Sequence, residues 1–430
     1  SRWSRGLGDV YKRQVYKVVQ KKGLTALGDT LNTVYRYHEA TKHQFRRYAR
    51  SLGYLDWATQ PDPFRRYEDA EVVPLEIPEA TDAPTWDALF VGSAPAVPVD
   101  MEAISRLFFY SLALSAWKQV VSPGGEVTSR WALRVNPSSG NLHPTEGYLI
   151  NGDGVFHYAP DAHELEKRAD IAPDEWEDFA KSLPAGAFLV GLTSIHWREA
   201  WKYGERAFRY CQHDVGHAVG ALGLAAARLG WRVRLLEGPG TGVIDRLLGV
   251  EAQTGPEKEH GDCLLVVWPG GEAETTRIST LPVPMKWTGS PNRLSEMHHD
   301  WPIIAEVAEA ATWTGAPEEK SNITARVPEP TDRGLPAGDL IRNRRSAVAM
   351  DGQTTMARED FFRLLGRLLP TAVHPVFNMA PALTHVTLVI FVHRVDDLPP
   401  GLYVLVRHPD HEASLRAATR DDFSWTTPEG

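Results

Sequence analysis

One polar loop, Arg134 to Pro144, carries residue types that could bind a cofactor. It reads Arg-Val-Asn-Pro-Ser-Ser-Gly-Asn-Leu-His-Pro, and its small residues would let the backbone approach a ligand closely. Ser138, Ser139 and Asn141 offer hydrogen-bond donors and acceptors, and Arg134 offers a planar cationic fork for a phosphate or a carbonyl. A capped surface turn explains the same residues equally well, so the loop alone leaves both interpretations open.

A second loop, Leu236 to Gly242, joins a predicted strand to a predicted helix. It reads Leu-Glu-Gly-Pro-Gly-Thr-Gly and contains Glu237 and Gly238. Glycine-rich connections of this kind often contact ligands in α/β proteins. The spacing is neither that of a dinucleotide-binding fingerprint nor that of a phosphate loop. Viewed alone, the loop is more typical of a plain tight connection.

A metal site and a hydrolase site are the other chemistries that the sequence offers. His213 and His217 lie four residues apart on a predicted helix, a spacing that can bind zinc. That helix lacks the glutamate of an H-E-x-x-H motif, and the chain has no G-x-S-x-G elbow. We therefore predict neither a metal centre nor a serine hydrolase.

The composition excludes several classes of protein. Hydrophobic residues make up 43% of the chain and charged residues 23%, which is typical of a globular protein. The net charge of −9 argues against nucleic acid as the main partner. The two cysteines, Cys211 and Cys263, cannot form a disulfide framework. Without a signal peptide or a transmembrane run, we expect a cytoplasmic protein with no membrane partner.

The N-terminal part of the chain is expected to lie outside the main unit. Residues 9–14 read like a translated sequencing-library adaptor, so we exclude residues 1–14 from fold reasoning as an assembly artefact. Residues 15–95 combine a predicted helix over Thr30–Leu52 with a proline-rich stretch over Asp56–Pro78. We expect residues 15–95 to form an arm on the main domain.

Residues 96–313 are predicted to form the main α/β unit. The predicted elements are a helix over 101–113, a hairpin of strands 146–150 and 155–158, a helix over 213–230, and strands over 231–236 and 263–268. The long helix is recognised by apolar residues that recur every three or four positions, and Gly230 is its predicted stop.

The C-terminal part of the chain indicates a second, smaller unit. Residues 314–338 are rich in proline and charge and are predicted to be a linker. Residues 339–430 start another α/β segment. In that segment Gly401–Leu405, followed by Pro-Asp-His-Glu, echoes Gly154–Tyr158, followed by Pro-Asp-Ala-His-Glu. We expect a partial or degenerate second copy of the main unit.

The loops and the long helix together resemble one known family, the nitroreductases. Pro137–Pro144 is similar to the flavin-contacting loop of that family. The run from Gly220 to Gly238, with Asp245–Val250 after it, is similar in order and spacing. The resemblance covers about residues 96–270 and implies an α+β fold with a central mixed sheet flanked by helices. It also implies FMN as the cofactor and NAD(P)H as an electron donor that stacks on the flavin.

Within that family the chain more closely resembles the SagB-type dehydrogenases, which include thiazoline and oxazoline oxidases. The segment His196–Tyr210 and Arg134, three residues before Pro137, carry this resemblance. Such oxidases are thought to use a Lys-Tyr pair, which implies Lys202 and Tyr203 as catalytic residues. In the other interpretation, the segment has no catalytic role and only packs and forms salt bridges. The implied cofactor contacts are Arg134, Pro137, Ser138, Ser139, Gly140, Asn141, His143, Glu237 and Gly238.

The chain departs from the family at the site for the FMN phosphate. The usual Arg-x-Ser-x-Arg/Lys motif is missing ahead of the predicted helix over 101–113. Lys118 and Arg130, in the loop that follows that helix, are candidate substitutes. The second segment has Arg344 and Ser346 in the matching positions, with a valine in place of the last basic residue. Nitroreductases hold FMN at a homodimer interface. We hypothesise that the second segment completes the first site as an intramolecular pseudo-dimer, with a homodimer or independent tandem sites as alternatives.

Three functions stay open at this point. The preferred one is FMN-dependent hydride transfer at flavin N5, which would oxidise an azoline in a modified peptide to the aromatic heterocycle. The second is NAD(P)H-dependent reduction of small nitro or quinone compounds. The third is a non-catalytic flavin-binding or scaffold protein of a peptide-modifying pathway. The missing phosphate motif favours the third function, whereas the Lys-Tyr pair opposes it.

Overall fold

The computed structural model of the 430-residue chain describes residues 25–270, 278, 281–313, 332–371, 373–379 and 386–419. The predicted artefact at 1–14 and residues 314–331 of the predicted linker lie outside the described residues. The strands are β1 (Tyr67–Glu68), β2 (Glu71–Pro74), β3 (Leu114–Val121), β4 (Val127–Arg134), β5 (Thr145–Asn151), β6 (Gly154–Ala159), β7 (Glu164–Ala169), β8 (Phe188–Ile195), β9 (Trp231–Leu235), β10 (Glu259–Pro269), β11 (Ser290–Pro291), β12 (Leu388–Val392) and β13 (Gly401–Leu405).

The described helices lie on both sides of the central sheet and in the C-terminal segment. They are α1 (Thr25–Thr41), α2 (Ala88–Val91), α3 (Met101–Phe109), α4 (Pro173–Ala180), α5 (His196–Tyr203), α6 (Ala207–Arg228), α7 (Thr241–Leu247), α8 (Pro302–Ala310), α9 (Ala337–Asn343), α10 (Arg358–Gly366) and α11 (Glu412–Ala418). Helix α1 ends earlier than the predicted helix over 30–52, because the chain after Thr41 turns back through paired Gln44 and Arg47.

Seven strands form the central sheet, in the order β2-β7-β6-β5-β8-β10-β9. The expected α+β class with a nitroreductase-like sheet flanked by helices is confirmed. We expected a mixed sheet, but every pairing described between these seven strands is antiparallel. Short turns join β5 to β6 and β6 to β7. Because a short turn reverses the chain, the two strands that it joins are antiparallel.

The β5–β6 hairpin turns between Asn151 and Gly154, as the sequence predicts. Both strands are buried along almost their whole length. Leu149 packs in the hydrophobic core on one face of the sheet, and its neighbour Ile150 packs in the core on the other. Because both faces are covered, these strands lack the alternation of a half-exposed sheet.

Helix α6 covers one face of the sheet. It spans Ala207–Arg228 rather than the predicted 213–230, because it starts directly after a turn of 3₁₀ helix at Gly204–Arg206. The predicted apolar stripe of α6 is buried in the core of that face. Gly230 follows the helix with a φ of +67°, the left-handed conformation expected of a helix stop.

The proline-rich part of the predicted arm joins the sheet edge through β2, which pairs with β7. Arg65 anchors the same stretch, because its buried guanidinium lies 3.3 Å from the carboxylate of Glu259 on β10. Tyr67 donates a hydrogen bond of 2.7 Å to that carboxylate. The arm is therefore held by buried charge and by backbone pairing.

A histidine between two carboxylates completes this buried network. His157 on β6 lies 3.1 Å from Glu146 and 2.8 Å from Glu166, and all three are buried. Burial alone would lower the pKa of His157, but the hydrogen bonds to Glu146 and Glu166 outweigh it and raise that pKa. Burial would raise the pKa of Glu146, but Arg198 and His157 lower it to about 2. Both ring nitrogens of His157 thus face carboxylates, which favours its cationic form.

The described C-terminal segment contains α9, α10, α11 and the β12–β13 hairpin. Helix α9 begins at Ala337, inside the predicted linker, and the Ala337 N–H donates to Pro84 O at 3.0 Å. Gly401–Leu405 is a strand of a hairpin, as Gly154–Ala159 is. The first hairpin continues into β7, whereas the second is followed by α11. The second copy of the main unit stays a prediction.

No helix in the described parts of the chain combines the length and the apolar character that crossing a membrane requires.

Candidate functional site

The predicted cofactor loop is held by a buried aspartate of α6, Asp214. The backbone N–H of Ser139 donates to both Asp214 carboxylate oxygens at 3.0 Å, and the Ser139 hydroxyl donates to one of them at 3.0 Å. Burial raises the pKa of Asp214, while hydrogen bonds from Ser138 and Ser139 oppose that rise. The Ser138 hydroxyl also accepts from the N–H of His143 at 2.8 Å. These contacts fix the loop to the central helix.

Asn141 and His143 hold the shape of the loop from within. Both have left-handed backbones, with φ values of +62° and +52°. The Asn141 amide donates to Ala132 O at 2.8 Å, and its oxygen lies 3.0 Å from Nε2 of His143. Burial lowers the pKa of His143 well below its usual value, which keeps the imidazole neutral. The flavin contacts expected of these two side chains stay predictions.

Helix α5 brings the predicted catalytic pair to this loop. A Cβ atom at Gly140 would lie 2.6 Å from the hydroxyl of Tyr203 and 3.1 Å from Nζ of Lys202. Gly140 also has a φ of +62°, which favours glycine. Within the described residues, neither polar end has a hydrogen-bond or ion-pair partner. The structure therefore places Gly140, Lys202 and Tyr203 together.

Tyr203 is built to keep its proton. Burial, followed by the nearby Glu199, raises the pKa of Tyr203 to about 12. Its ring also packs against Tyr210, with 4.5 Å between the ring centroids. A phenol with this pKa stays protonated near neutral pH, so Tyr203 is suited to donating a hydrogen bond or a proton.

A cavity of about 670 Å³ opens beside the start of the loop. This volume lies within the roughly 300–1,000 Å³ of small-molecule sites. Its walls come mainly from α6 and α9 and are largely apolar. The lining residues are Trp86, Tyr110, Val135, Pro137, Gly216, His217, Gly220, Ala221, Leu224, Leu340, Ile341, Asn343 and Arg344.

The cavity joins two predicted cofactor motifs that lie far apart in the sequence. Pro137 begins the loop of the main unit, and Arg344 ends helix α9 of the C-terminal segment. Between them, Gly216, Gly220 and Ala221 form a strip of small residues on α6. A flat ligand could approach the helix closely along this strip.

Arg134 and Lys118 are not among the residues that line the cavity. The buried guanidinium of Arg134 donates to Pro63 O at 2.6 Å and to Thr145 O at 3.3 Å, so it holds the arm. Burial lowers its pKa to about 10. Lys118 is exposed on β3, in a two-stranded hairpin with β4. Neither residue lines the cavity, and the cofactor roles expected of both stay predictions.

The other predicted contacts also lie outside the cavity lining. Glu237 and Gly238 lie on the connection between β9 and α7, where Gly238 has a φ of +121°. Ser346 is exposed two residues beyond Arg344. The structure does not bring these three residues to the cavity walls, and their contacts with a flavin stay predictions.

Two buried acids of the site, Asp214 and Glu199, are not among the residues predicted from the sequence. Asp214 lies directly after His213 in the sequence, and no motif there marks it as a site residue. Glu199 on α5 is fully buried, and both its carboxylate oxygens lack a hydrogen-bond partner within the described residues. The signal for Glu199 is its spacing, since residues 199, 202 and 203 share one face of a helix.

Histidine and acidic side chains near the loop do not gather into a metal site. His217 Nδ1 lies 3.9 Å from the carboxylate of Asp214. The described residues contain no group of three or more His, Cys, Asp and Glu side chains that could hold a metal ion.

Comparison with known proteins finds one family match, within the central unit. Residues 125–261 match the Nitroreductase family. The matched stretch runs from β4 to the start of β10 and includes the loop, α5 and α6. The comparison with curated proteins found no match. The stretch from 125 to 261 is therefore similar to a family of oxidoreductases.

Comparison with solved structures gives three neighbours of low sequence identity. A crystal structure assigned as a nitroreductase from Anabaena variabilis is 21% identical, with a TM-score of 0.58 over 86% of this chain and 76% of that one. One assigned likewise from Ralstonia eutropha is 16% identical, with a TM-score of 0.34 over 52% of this chain and 98% of that one. A chain of the E. coli microcin synthetase McbBCD complex is 16% identical, with a TM-score of 0.31 over 56% and 81%. Of these three, the first indicates a shared fold.

Proposed function

We propose that this protein is an FMN-dependent oxidoreductase whose flavin occupies the cavity between α6 and α9. The observation that carries the proposal is that Pro137, of the predicted flavin loop, and Arg344, of the predicted phosphate motif, line the same cavity. The nitroreductase-family match supports the same cofactor, since members of that family generally bind a flavin.

The residues of the cavity fit FMN. Its flat, apolar ring system suits the strip of Gly216, Gly220 and Ala221, where no long side chain separates a ligand from the helix. Its phosphate suits the guanidinium of Arg344, which can donate two parallel hydrogen bonds. When bound, FMN supplies hydride exchange at its N5 atom.

Lys202 and Tyr203 would supply the polar chemistry next to the cavity. They approach Gly140, three residues after Pro137. The ammonium of Lys202 is suited to stabilising negative charge that develops on a neighbouring group. The protonated hydroxyl of Tyr203 is suited to relaying a proton between substrate and solvent. Gly140 lets both polar ends lie against the loop backbone.

The substrate class we propose is an azoline ring in a modified peptide. The ring would lose a hydride and a proton to become the aromatic azole, as in the SagB-type dehydrogenases that the Lys202–Tyr203 segment resembles. Gly216 and His217, on the wall of the cavity, are exposed. The cavity is therefore open to solvent there, which a ring carried by a peptide requires.

Replacing one of two adjacent arginines tests whether this cavity binds FMN. Arg344 lines the cavity, whereas Arg345 does not and donates to Arg342 O and Arg344 O at 2.8 and 2.7 Å. A charge-assisted hydrogen bond contributes about 1.5–3 kcal/mol. We expect Arg344→Gln to weaken FMN binding by about tenfold to a hundredfold in a fluorescence titration. Arg345→Gln, the control, should bind as tightly as wild type. Equal affinities for all three proteins would contradict the proposal.

Replacing the Lys-Tyr pair tests the catalytic assignment. Lys202→Gln combined with Tyr203→Phe should leave bound FMN in place and abolish oxidation of a thiazoline-containing peptide. Unchanged turnover would remove both residues from the mechanism.

If wild type instead reduces nitroaromatic compounds with NAD(P)H and leaves the thiazoline intact, the substrate assignment is wrong. A flavin-loaded chain that turns over neither would indicate a non-catalytic partner.

A further inference from the structure

Glu199 presents a physical problem for the fold. Its side chain is fully buried, yet neither carboxylate oxygen has a hydrogen-bond partner within the described residues. Buried carboxyl groups are ordinarily hydrogen-bonded, because losing water without a replacement opposes folding. A charged carboxylate would make this loss far larger. The surroundings of Glu199 therefore favour its neutral, protonated form.

Glu199 lies on the same helix face as the predicted catalytic pair. Lys202 and Tyr203 follow it by three and four residues on α5, so the three side chains are neighbours. Both later side chains approach Gly140, and neither has a hydrogen-bond or ion-pair partner among the described residues. The Lys202 ammonium lies 5.4 Å from the centroid of the Tyr203 ring. Among the described residues, three polar groups without a hydrogen-bond or ion-pair partner thus lie on one face of α5.

The groups around Glu199 decide which acid carries the proton. Lys202 and Tyr203 face it from α5, and Asp214 and Cys211 face it from α6. Asp214 accepts hydrogen bonds from Ser139 with both oxygens, which is the behaviour of an ionised carboxylate. With a carboxylate already present, Glu199 is the acid left to hold a proton. In agreement, burial and then Asp214 raise the pKa of Glu199, while Lys202 opposes them.

We propose that Glu199 is a positioning residue whose buried carboxyl group holds a proton, so that the ammonium of Lys202 stays free to face the Gly140 loop. This proposal rests on the proposed function, in which the Lys202 ammonium stabilises negative charge that develops next to the cavity. When Glu199 loses its proton, its carboxylate attracts the ammonium three residues away and draws it from the loop. Activity then falls as the pH rises through the ionisation of Glu199.

Glutamine is the decisive substitution, because it keeps the shape of a neutral glutamic acid and cannot ionise. The control is Glu205→Gln, which removes a buried carboxylate near α5 that is already paired, 2.8 Å from Arg50. We expect wild type and Glu205→Gln to lose about tenfold in kcat for each pH unit above the ionisation. Glu199→Gln should keep its neutral-pH kcat and lack this decline. The same decline in Glu199→Gln would overturn the proposal.

Two measurements on the flavin-free chain separate this inference from the proposed function. The infrared carbonyl band of protonated carboxylic acids should be weaker in Glu199→Gln than in wild type and Glu205→Gln, because buried Asp262, whose pKa is raised to about 7, contributes to it in all three proteins. Above the ionisation of Glu199, acetylation of Lys202 should be faster in Glu199→Gln than in wild type, with exposed Lys181 as the internal reference. An infrared band unchanged by Glu199→Gln, or equal Lys202 acetylation rates, would overturn the proposal even if the chain never binds FMN.

Discussion

At Gly140 two separate constraints fall on one residue. Its backbone is left-handed, which costs most other residues roughly 1–2 kcal/mol. Any Cβ there would also meet the hydroxyl of Tyr203 and the ammonium of Lys202. The first constraint is local and would exist in any tight turn. The second belongs to the site, and it couples the loop to helix α5.

Alanine substitutions at two glycines separate these constraints. Gly125 also has a left-handed φ, of +87°, but nothing lies within 4 Å of where its Cβ would be. Gly140→Ala and Gly125→Ala should lower stability by similar amounts, measured by thermal unfolding. Gly140→Ala alone should reduce turnover, by about a hundredfold if the pair moves by about 1 Å.

Comparable turnover in the two alanine variants would mean that the position of Lys202 and Tyr203 against Gly140 does not matter. That outcome would separate the loop from the catalytic pair and remove the steric link argued for the site.

At the scale of elements, the buried network around His157 links the arm-bearing edge of the sheet to β5 and α5. His157 has a raised pKa because Glu146 and Glu166 outweigh its burial. The stabilisation from this cation is therefore fully present below the unfolded pKa, about 6.5. It is lost as the pH rises through the higher folded pKa.

Replacing His157 with Gln should remove that pH dependence. At pH 6 the variant should lose about 1.5–3 kcal/mol of unfolding free energy, because Glu146 and Glu166 each lose a charged hydrogen-bond partner while keeping Arg198 and Arg66. Wild type should become less stable as the pH rises above about 6.5, while the variant should not. Urea unfolding at several pH values measures both effects.

His163→Gln is the matched control for His157. His163 is also buried and hydrogen-bonded, but burial lowers its pKa to about 4. It is neutral throughout the window above pH 6.5, so its replacement should leave the slope of stability with pH unchanged there. If His163→Gln and His157→Gln change that slope equally, His157 is not the titrating group.

Sequence patterns predicted the elements whose signal is local. The Asn-Gly-Asp-Gly turn gave the β5–β6 hairpin, and the apolar stripe of α6 gave the helix and its buried face. The use of Arg134 as an anchor for the arm could not be predicted, because its acceptors include Pro63 O, far away in the sequence. The antiparallel order of the sheet also depends on such distant pairings, as between β2 and β7.

The same limit applies to the candidate site. The loop, the Lys-Tyr pair and Arg344 were recognised by resemblance to a family. The sequence did not predict how these residues lie relative to one another, because that depends on how α9 packs beside α6. The spacing of Glu199 places it on the helix face of the Lys-Tyr pair. Its burial and lack of partners, and the hydrogen bonds that Asp214 shares with the loop, depend on contacts between distant parts of the chain and cannot be read from the sequence.

At the scale of the whole molecule, one chain supplies both walls of the cavity. The main unit contributes Pro137 and the α6 strip, and the C-terminal segment contributes α9 with Arg344. This arrangement is what an intramolecular pseudo-dimer requires, with one site built from two segments. It predicts a single flavin for each chain, since the described cavity uses one copy of each motif.

The measurement that tests the central claim most directly is the identity and amount of flavin released by heat from the purified 430-residue chain. We expect a yellow protein that releases FMN in a ratio of one per chain, and that takes FMN up again after its removal. A colourless protein that cannot be reconstituted with FMN would contradict the account. Two FMN per chain would contradict the single site shared by Pro137 and Arg344.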